Sequence, residues 1–302
     1  MTATCEYKTN EVNKKSCDSF LIGGFCEKEE MFRCPLWIEK HEPRLSHSGI
    51  TNFLRCPKMY YYSNIKGLQV KSAFESDPLK IGSAVDDYIT NILMGGGRTI
   101  DSVCYVSAKG MRWKTIRTVS DAKSIGIIKA FKQMIDEEKI KKHYTGQKEF
   151  NIQNDGQPHI KGYIDLEAKD GKSFIELKCG GNPSYYTNLF YIRSKLAVYF
   201  MSNENYVSGT IWAVRVPQIK RTGQYKNETL DDYSARITHT MVKEPRHYFP
   251  GYSAKTKNFG VKFGRGEIDV ETTIKHYKMV ADWIKLSNSD NSLLFLFRTI
   301  CL

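Results

Sequence analysis

The sequence predicts an α/β (α+β) protein in which a small mixed sheet is flanked by helices. Apolar residues recur at helical spacing in several segments, and two-residue alternation is confined to residues 148–178 and 206–216. The two kinds of segment follow one another as helices, strands, helix, strand and helix, which favours this fold class. Hydrophobic residues make up 41% and charged residues 26% of the 302 residues, a composition that excludes disorder, collagen and coiled coil for the bulk of the chain.

The chain divides into a Cys-rich and Lys/Glu-rich extension over residues 1–44 and a folded domain over residues 45–302. The extension shows little periodicity. No apolar run reaches the roughly 18–20 residues that a bilayer span needs, and the N-terminus has no apolar core of a signal peptide. We therefore expect a soluble intracellular protein that makes no membrane contact.

Capping residues and regularly spaced apolar residues predict where the helices lie. Serines at the beginning of residues 46–54 predict a helix start, because serine caps a helix ahead of its apolar positions. Those positions are Ile50, Phe53 and Leu54. Helical patterns follow over residues 81–93, 121–142, 185–202 and 267–286. Residues 217–266 are loop-rich and basic, and their pattern predicts no element.

The segment His159–Gly181 carries most of the chemistry. Asp170-Gly171 is a two-residue hairpin turn signal between two alternating runs. If that turn forms, paired positions sum to 341, and Asp165 lies directly opposite Glu176 with Lys178 on the same face. The other face is then apolar and consists of Ile164, Leu166, Ala168, Ile175 and Leu177.

Two carboxylates that face each other repel unless one is protonated or a cation lies between them. Mg²⁺ suits such a site, because it takes few carboxylates and keeps several waters. Lys178 could then position a water or offset the charge that develops on a phosphate. The alternative interpretation is an exposed hairpin with scattered charges.

These residues resemble the core of the PD-(D/E)xK nuclease superfamily, in particular its RecB-like, phage-type exonuclease branch. Asp165 matches the first acid, Glu176 the second and Lys178 the lysine, and Gly162-Tyr-Ile-Asp165 matches the GxxD form of the branch. Three further segments occur in the right order and extend the resemblance over roughly residues 45–200. They are SHSGITNFLRCPKMYYYSNIKGL (46–68), Gly82-Ser-Ala-Val-Asp86 in the place of a GxxxH helix, and Lys195-Leu-Ala-Val-Tyr199 in the place of QxxxY.

The resemblance implies a restriction-endonuclease-like core over residues 45–302 and one or two Mg²⁺ or Mn²⁺ ions. The implied metal ligands are Asp86, Asp165, Glu176 and the carbonyl of Leu177. Glu149 is implied as a residue that orients a metal-bound water, and it could equally be a charged strand residue without that role. In one departure, Asp86 replaces the ligand histidine, and an aspartate can still bind a hard cation. Asp86 could instead be a solvated helix acid, or Asp87 could be the functional residue.

In a second departure, Lys195 replaces the glutamine. Lys195 and Tyr199 are neighbours on a helix face and could reach a DNA strand or a phosphate. The alternative is a surface lysine and a core tyrosine.

The charge balance favours a polyanionic partner, with nucleic acid first and an acidic membrane surface second. The chain carries 45 Lys and Arg against 33 Asp and Glu, a formal net charge of +12. The alternative is a basic protein without such a partner. Basic and aromatic residues alternate in two clusters that would suit a single-strand track, although tyrosines at helix ends more often belong to a core. The clusters are Arg55, Lys58, Tyr60, Tyr61 and Tyr62, and Tyr185, Tyr186, Tyr191 and Arg193.

The cysteines permit a weaker hypothesis. Some RecB-like relatives bind a 4Fe–4S cluster with a Cys trio near the C-terminus, which this chain lacks because Cys301 alone follows Cys179. A rearranged four-thiolate site for zinc or 4Fe–4S would use Cys17, Cys26, Cys34 and Cys56. The absence of a CxxC pair equally favours free, buried thiols.

We therefore expect a divalent-metal-dependent DNA nuclease. Among nucleases, we favour an exonuclease that acts on linear DNA in recombination, repair or phage DNA processing. The alternatives are a structure-specific or CRISPR-adaptation-type endonuclease and a non-catalytic DNA-binding protein that retains the fold. No helicase P-loop is present, so unwinding would need a helicase, and a single-strand annealing protein is a second expected partner. An oligomer is compatible with the sequence. The expected location is the cytoplasm of a bacterial or phage-infected cell, or the nucleus for a eukaryotic virus.

Overall fold

The computed structural model describes residues 7–9, 15–17, 45–56, 60, 64, 77–95, 103–107, 110–154, 157–182, 186 and 190–289. Two compact units make up the chain. One comprises residues 1–71, 153–161 and 277–302, and the other comprises residues 72–152 and 162–276. Within the described ranges, no helix is both long enough and apolar enough to span a bilayer.

A five-stranded mixed sheet confirms the predicted fold class, and its strand order is β5-β6-β7-β8-β9. The strands are β5 (Tyr144–Asn154), β6 (Gln157–Ala168), β7 (Ser173–Gly180), β8 (Ser208–Arg215) and β9 (Val261–Gly264). β6 and β7 pair antiparallel, β7 and β8 pair parallel, and β8 and β9 pair antiparallel. β9 and the helix Leu230–Lys243 both lie within residues 217–266, for which the sequence predicted no element. β9 has only four residues, the shortest length at which alternation can indicate a strand.

Four short strands form two separate antiparallel hairpins. One consists of β1 (Tyr7–Thr9) and β2 (Lys15–Cys17), and the other of β3 (Cys104–Ser107) and β4 (Gly110–Trp113). The helices are α1 (His47–Arg55), α2 (Asp77–Asp87), α3 (Val119–Met134), α4 (Glu137–His143), α5 (Phe190–Ser202), α6 (Leu230–Lys243), α7 (Pro245–Tyr248) and α8 (Val270–Ser289). A π-helix (Tyr88–Leu93) continues α2.

Local sequence signals explain where these helices begin and end. The Ser46 side chain caps α1 by accepting from the Gly49 N–H at 3.0 Å, as the serines predicted. Of the three apolar positions, Ile50 and Phe53 are buried and Leu54 is 45% exposed. The predicted helix over residues 121–142 is two helices, because the Asp136 side chain accepts from the Lys139 N–H and starts α4 anew.

Helices of the second unit cover both faces of its central strands. Ile175 of β7 and Trp212 of β8 belong to a cluster with α2, α3 and α6. Phe174 and Ile211, the adjacent residues of the same strands, belong to a second cluster with α5. Strands buried on both faces are fixed in position from two sides, and any polar side chain on them needs a partner inside the protein.

One residue of the predicted apolar face lies on the other side. Ile164 packs in the cluster of Phe174, whereas Leu166, Ile175 and Leu177 pack in the first cluster. The antiparallel ladder runs through Leu166 with Ile175, and beyond it the Leu177 N–H donates to the Asp165 carboxylate. Regular alternation is lost at this point, which is why the prediction for Ile164 was wrong.

Candidate active site

The hairpin brings the predicted acids together in the second unit. Gly171 adopts a left-handed φ of +67°, as the Asp-Gly turn requires. Leu166 pairs with Ile175 and Glu167 with Phe174, so paired positions sum to 341 and the predicted register is confirmed. Continued by one position, this register would set Asp165 against Glu176, but the ladder ends at Leu166 and the Leu177 N–H donates to the Asp165 carboxylate instead.

Asp165 is partly buried and is anchored by the backbone of the neighbouring strand. The Leu177 N–H donates to Oδ2 of Asp165 at 2.7 Å. Burial, followed by the charge of Glu176, raises the pKa of Asp165 to about 8, although Lys195 and Lys178 act in the opposite direction. The carboxyl is therefore destabilised in its ionised form at this position.

Glu176 has no exposed surface and is surrounded by donors. Lys178 and Lys195 both bind its Oε1, with the Lys195 Nζ at 2.5 Å. The Tyr199 hydroxyl lies 2.7 Å from Oε2. Burial alone would raise the pKa of Glu176, but the two ammonium groups lower it to about 2, so that the carboxylate stays ionised.

Asp86 on α2 joins the same electrostatic cluster. Burial raises the pKa of its carboxyl, the charge of Lys178 lowers it, and the charge of Glu176 raises it. Its neighbour Asp87 is buried, and Oδ1 of Asp87 accepts a hydrogen bond from Asn91 at 2.6 Å. The acid that replaces the expected histidine is therefore electrostatically linked to Glu176 and Lys178.

Lys195 and Tyr199 on α5 support Glu176, which the sequence did not predict. Tyr199 is 1% exposed, and its ring packs edge-on against Phe174 at a centroid distance of 5.2 Å, which agrees with the alternative of a core tyrosine. The Lys195 ammonium lies on a carboxylate of the protein. The four-residue spacing predicted that both residues share a helix face. It did not identify Glu176 as their partner, because the sequence did not show that this residue of β7 is buried.

Other predicted residues lie apart from the carboxylates or outside the described residues. Glu149 is exposed on β5, and no contact of the described residues joins it to the acids. Tyr60 is buried and packs edge-on against Phe53 at 5.6 Å, so its predicted DNA contact was wrong. Arg55 and Arg193 are exposed, and Tyr186 and Cys56 are partly buried. Burial raises the pKa of Cys179 to about 12.

Several predicted residues lie outside what the structure describes, so the four-thiolate site stays a prediction. They are Cys26, Cys34, Lys58, Tyr61, Tyr62 and Tyr185 and the side chains of Cys17 and Tyr191.

The donor set has the chemistry of a hard-cation site. Asp86, Asp165 and Glu176 supply carboxylate oxygens, which Mg²⁺ and Mn²⁺ prefer, and two of the three have raised pKa values that a nearby cation would lower. In the described part of the chain, no three His, Cys, Asp or Glu side chains are arranged to enclose a metal ion. Two ammonium groups neutralise Glu176 instead, so a divalent cation would compete with Lys178 and Lys195 for that carboxylate.

Comparison with known proteins finds a structural likeness. No protein-family model matches the chain, and no curated protein matches it. A crystal structure of a candidate exonuclease from Eubacterium rectale matches with 17% sequence identity and a TM-score of 0.43. The match covers 74% of this chain and 86% of the other.

Proposed function

We propose that the protein is a divalent-metal-dependent DNA nuclease, and more narrowly an exonuclease that acts on linear DNA. The observation that carries the proposal is the grouping of Asp165, Glu176 and Lys178 around the end of the β6–β7 ladder. Acids gathered in a partly buried position destabilise a fold unless a cation or a proton compensates their charge, and such groups are concentrated at functional sites. The preference for an exonuclease rests on the resemblance of the motifs.

Asp86, Asp165, Glu176 and the carbonyl of Leu177 would hold the cation. Such an ion, when bound, supplies Lewis acidity toward a phosphoryl oxygen and a water of lowered pKa. The Leu177 carbonyl accepts from the Lys178 ammonium at 2.9 Å, so this lysine reaches two of the four candidate ligands.

Lys178 has the properties of a phosphate-stabilising group. Its side chain is 22% exposed, whereas the carboxylate that it contacts is wholly buried, so the ammonium lies between the protein interior and solvent. A fixed positive charge at such a boundary stabilises the negative charge that develops on a phosphate under attack. Lys195 on Oε1 and Tyr199 on Oε2 also hold Glu176 and are positioning residues in this scheme.

The test is cleavage of end-labelled linear DNA and of a covalently closed circle in Mg²⁺ or Mn²⁺, with EDTA as the negative control. We expect the wild type to degrade the linear DNA and spare the circle, and Asp165→Asn to be inactive on both. Intact linear DNA with every metal would overturn the nuclease proposal. Cleavage of the circle would support an endonuclease instead.

A further inference from the structure

A second cluster of basic and aromatic side chains lies away from the carboxylates, where the β3–β4 hairpin meets the start of α3. It borders a pocket with a volume of about 520 Å³. The lining residues include Tyr105, Trp113, Lys114, Arg117 and Asp121. None of these residues has a role in the proposed reaction.

The aromatic part of the pocket is accessible. Tyr105 is 41% exposed, so an external group can reach its ring. Trp113 packs partly against the core, and the Lys129 ammonium lies 5.5 Å from the centre of its ring. One wall of the pocket therefore offers aromatic surface with a cation beside it.

The charged part of the pocket is positive. Lys114 and Arg117 line it, and exposed Arg112 pairs with Tyr105 across the hairpin. Within the described ranges, these three basic side chains make no hydrogen bond or ion pair with another residue. Their charges are thus available to an external anion.

The acid among the lining residues is already engaged. Asp121 accepts from the backbone N–H groups of Arg117 at 3.0 Å and Thr118 at 2.9 Å, which completes a capping box at the start of α3. The carboxylate of Asp121 therefore interacts with the N-terminus of α3. The other charged residues that line the pocket, Lys114 and Arg117, are positive.

We propose that this pocket binds one nucleotide of a single DNA strand, with the base against Tyr105 and Trp113 and the flanking phosphates on Lys114 and Arg117. Stacking on a side chain requires an unpaired base, which selects a single strand over a duplex. The inference rests on the proposed function for the identity of the polymer, and it adds a strand-binding position outside the cleavage site.

The test measures binding of a fluorescently labelled oligothymidylate by anisotropy in EDTA, so that no cleavage is needed. Tyr105→Ala should weaken binding at least about fivefold, because each stacked base contributes substantially. Lys114→Ala/Arg117→Ala should lower the slope of log affinity against log salt by about 1.4, the value for two lost contacts to a single strand. A control double variant, Lys139→Ala/Lys142→Ala, removes the same charge from exposed positions on α4 beyond the other end of α3, and should change affinity less than about twofold.

Equal losses in the two double variants would overturn the proposal, since net charge alone would explain them. Unchanged binding by Tyr105→Ala with an unchanged melting temperature would also overturn it. Complete displacement of the oligonucleotide by equimolar free thymidine monophosphate would assign the pocket to a mononucleotide and contradict a strand site. Absence of cleavage with every metal would contradict the proposed nuclease function but would not affect the binding result.

Discussion

The phenolic oxygen of Tyr199 lies 2.7 Å from Oε2 of Glu176, a carboxylate with no exposed surface. The same hydroxyl lies 2.9 Å from the carbonyl oxygen of Tyr163 and can donate its one proton to only one of these acceptors at a time. The ionised carboxylate is the stronger acceptor. Helix α5 thereby fixes the orientation of the acid on β7.

Tyr199→Phe should destabilise the protein by about 1–3 kcal/mol, because a buried carboxylate loses a donor. Thermal unfolding measures the change. The matched control is Tyr206→Phe, which removes a hydroxyl that donates to Glu167 outside the acid cluster. Both variants should unfold at lower temperature, but cleavage should fall only in Tyr199→Phe. Equal activity losses would show that Tyr199 acts through stability alone.

Lys178→Ala should lower the cleavage rate by at least about 100-fold, because the transition state loses a preorganised positive charge. Single-turnover cleavage of labelled linear DNA measures the rate. Lys172→Ala removes the same charge from an exposed position at the hairpin turn and should leave the rate within about twofold. A similar loss in both variants would exclude a specific role for Lys178.

Lys195→Gln should lower the Mg²⁺ concentration needed for half-maximal cleavage. The variant removes one of two ammonium groups that contact Oε1 of Glu176, and a divalent cation then competes with one positive charge fewer. A metal titration of the cleavage rate gives the midpoint for each protein. An unchanged or higher midpoint would contradict the competition.

Asp165→Asn should change how stability depends on pH. Burial and the Glu176 charge raise the pKa of Asp165 to about 8. A carboxyl whose pKa is higher in the folded chain than in the unfolded chain binds more protons when the chain is folded. The wild type therefore loses stability as the pH rises from about 3.9, the pKa in the unfolded chain, through the pKa in the folded chain. Without divalent cation, the variant should match the wild type near pH 4 and melt a few degrees higher near pH 7. A wild type that melts higher at neutral pH would refute this.

Two glycine-to-alanine substitutions should act in opposite directions. A Cβ at Gly126 on α3 would lie 2.7 Å from the carbonyl oxygen of Ser234 and 2.8 Å from Ile237 on α6, so Gly126→Ala should destabilise by about 1–3 kcal/mol. A Cβ at Gly82 on α2 meets nothing within 4 Å of the described residues, so Gly82→Ala should stabilise by up to about 1 kcal/mol through helix propensity. Chemical denaturation measures both. Stabilisation by Gly126→Ala would mean that α3 and α6 can separate slightly.

The part of the site that the sequence predicted depends on local rules. An Asp-Gly turn sets the hairpin register, and the observed pairs Leu166–Ile175 and Glu167–Phe174 follow from neighbouring residues alone. Buried apolar positions such as Val85 and Ile89 follow from helical spacing in the same way.

The part that the sequence did not predict depends on how elements dock. Spacing places Lys195 and Tyr199 on one face of α5, but only the packing of that helix against the sheet brings them to Glu176. Ile164 lies on the unexpected face because a side chain, Asp165, takes the Leu177 N–H and interrupts alternation. β9 is recognisable only through its pairing with β8.

The parallel pairing of β7 with β8 makes part of the site depend on contacts between residues far apart along the chain. Lys178 reaches Glu176 from the same strand, and Glu176 pairs with Ile211 of β8 across an intervening segment that includes α5. Lys195 and Tyr199 can reach Glu176 only when α5 is docked on the sheet. Loosening of α5 would therefore remove two donors from a buried carboxylate at once.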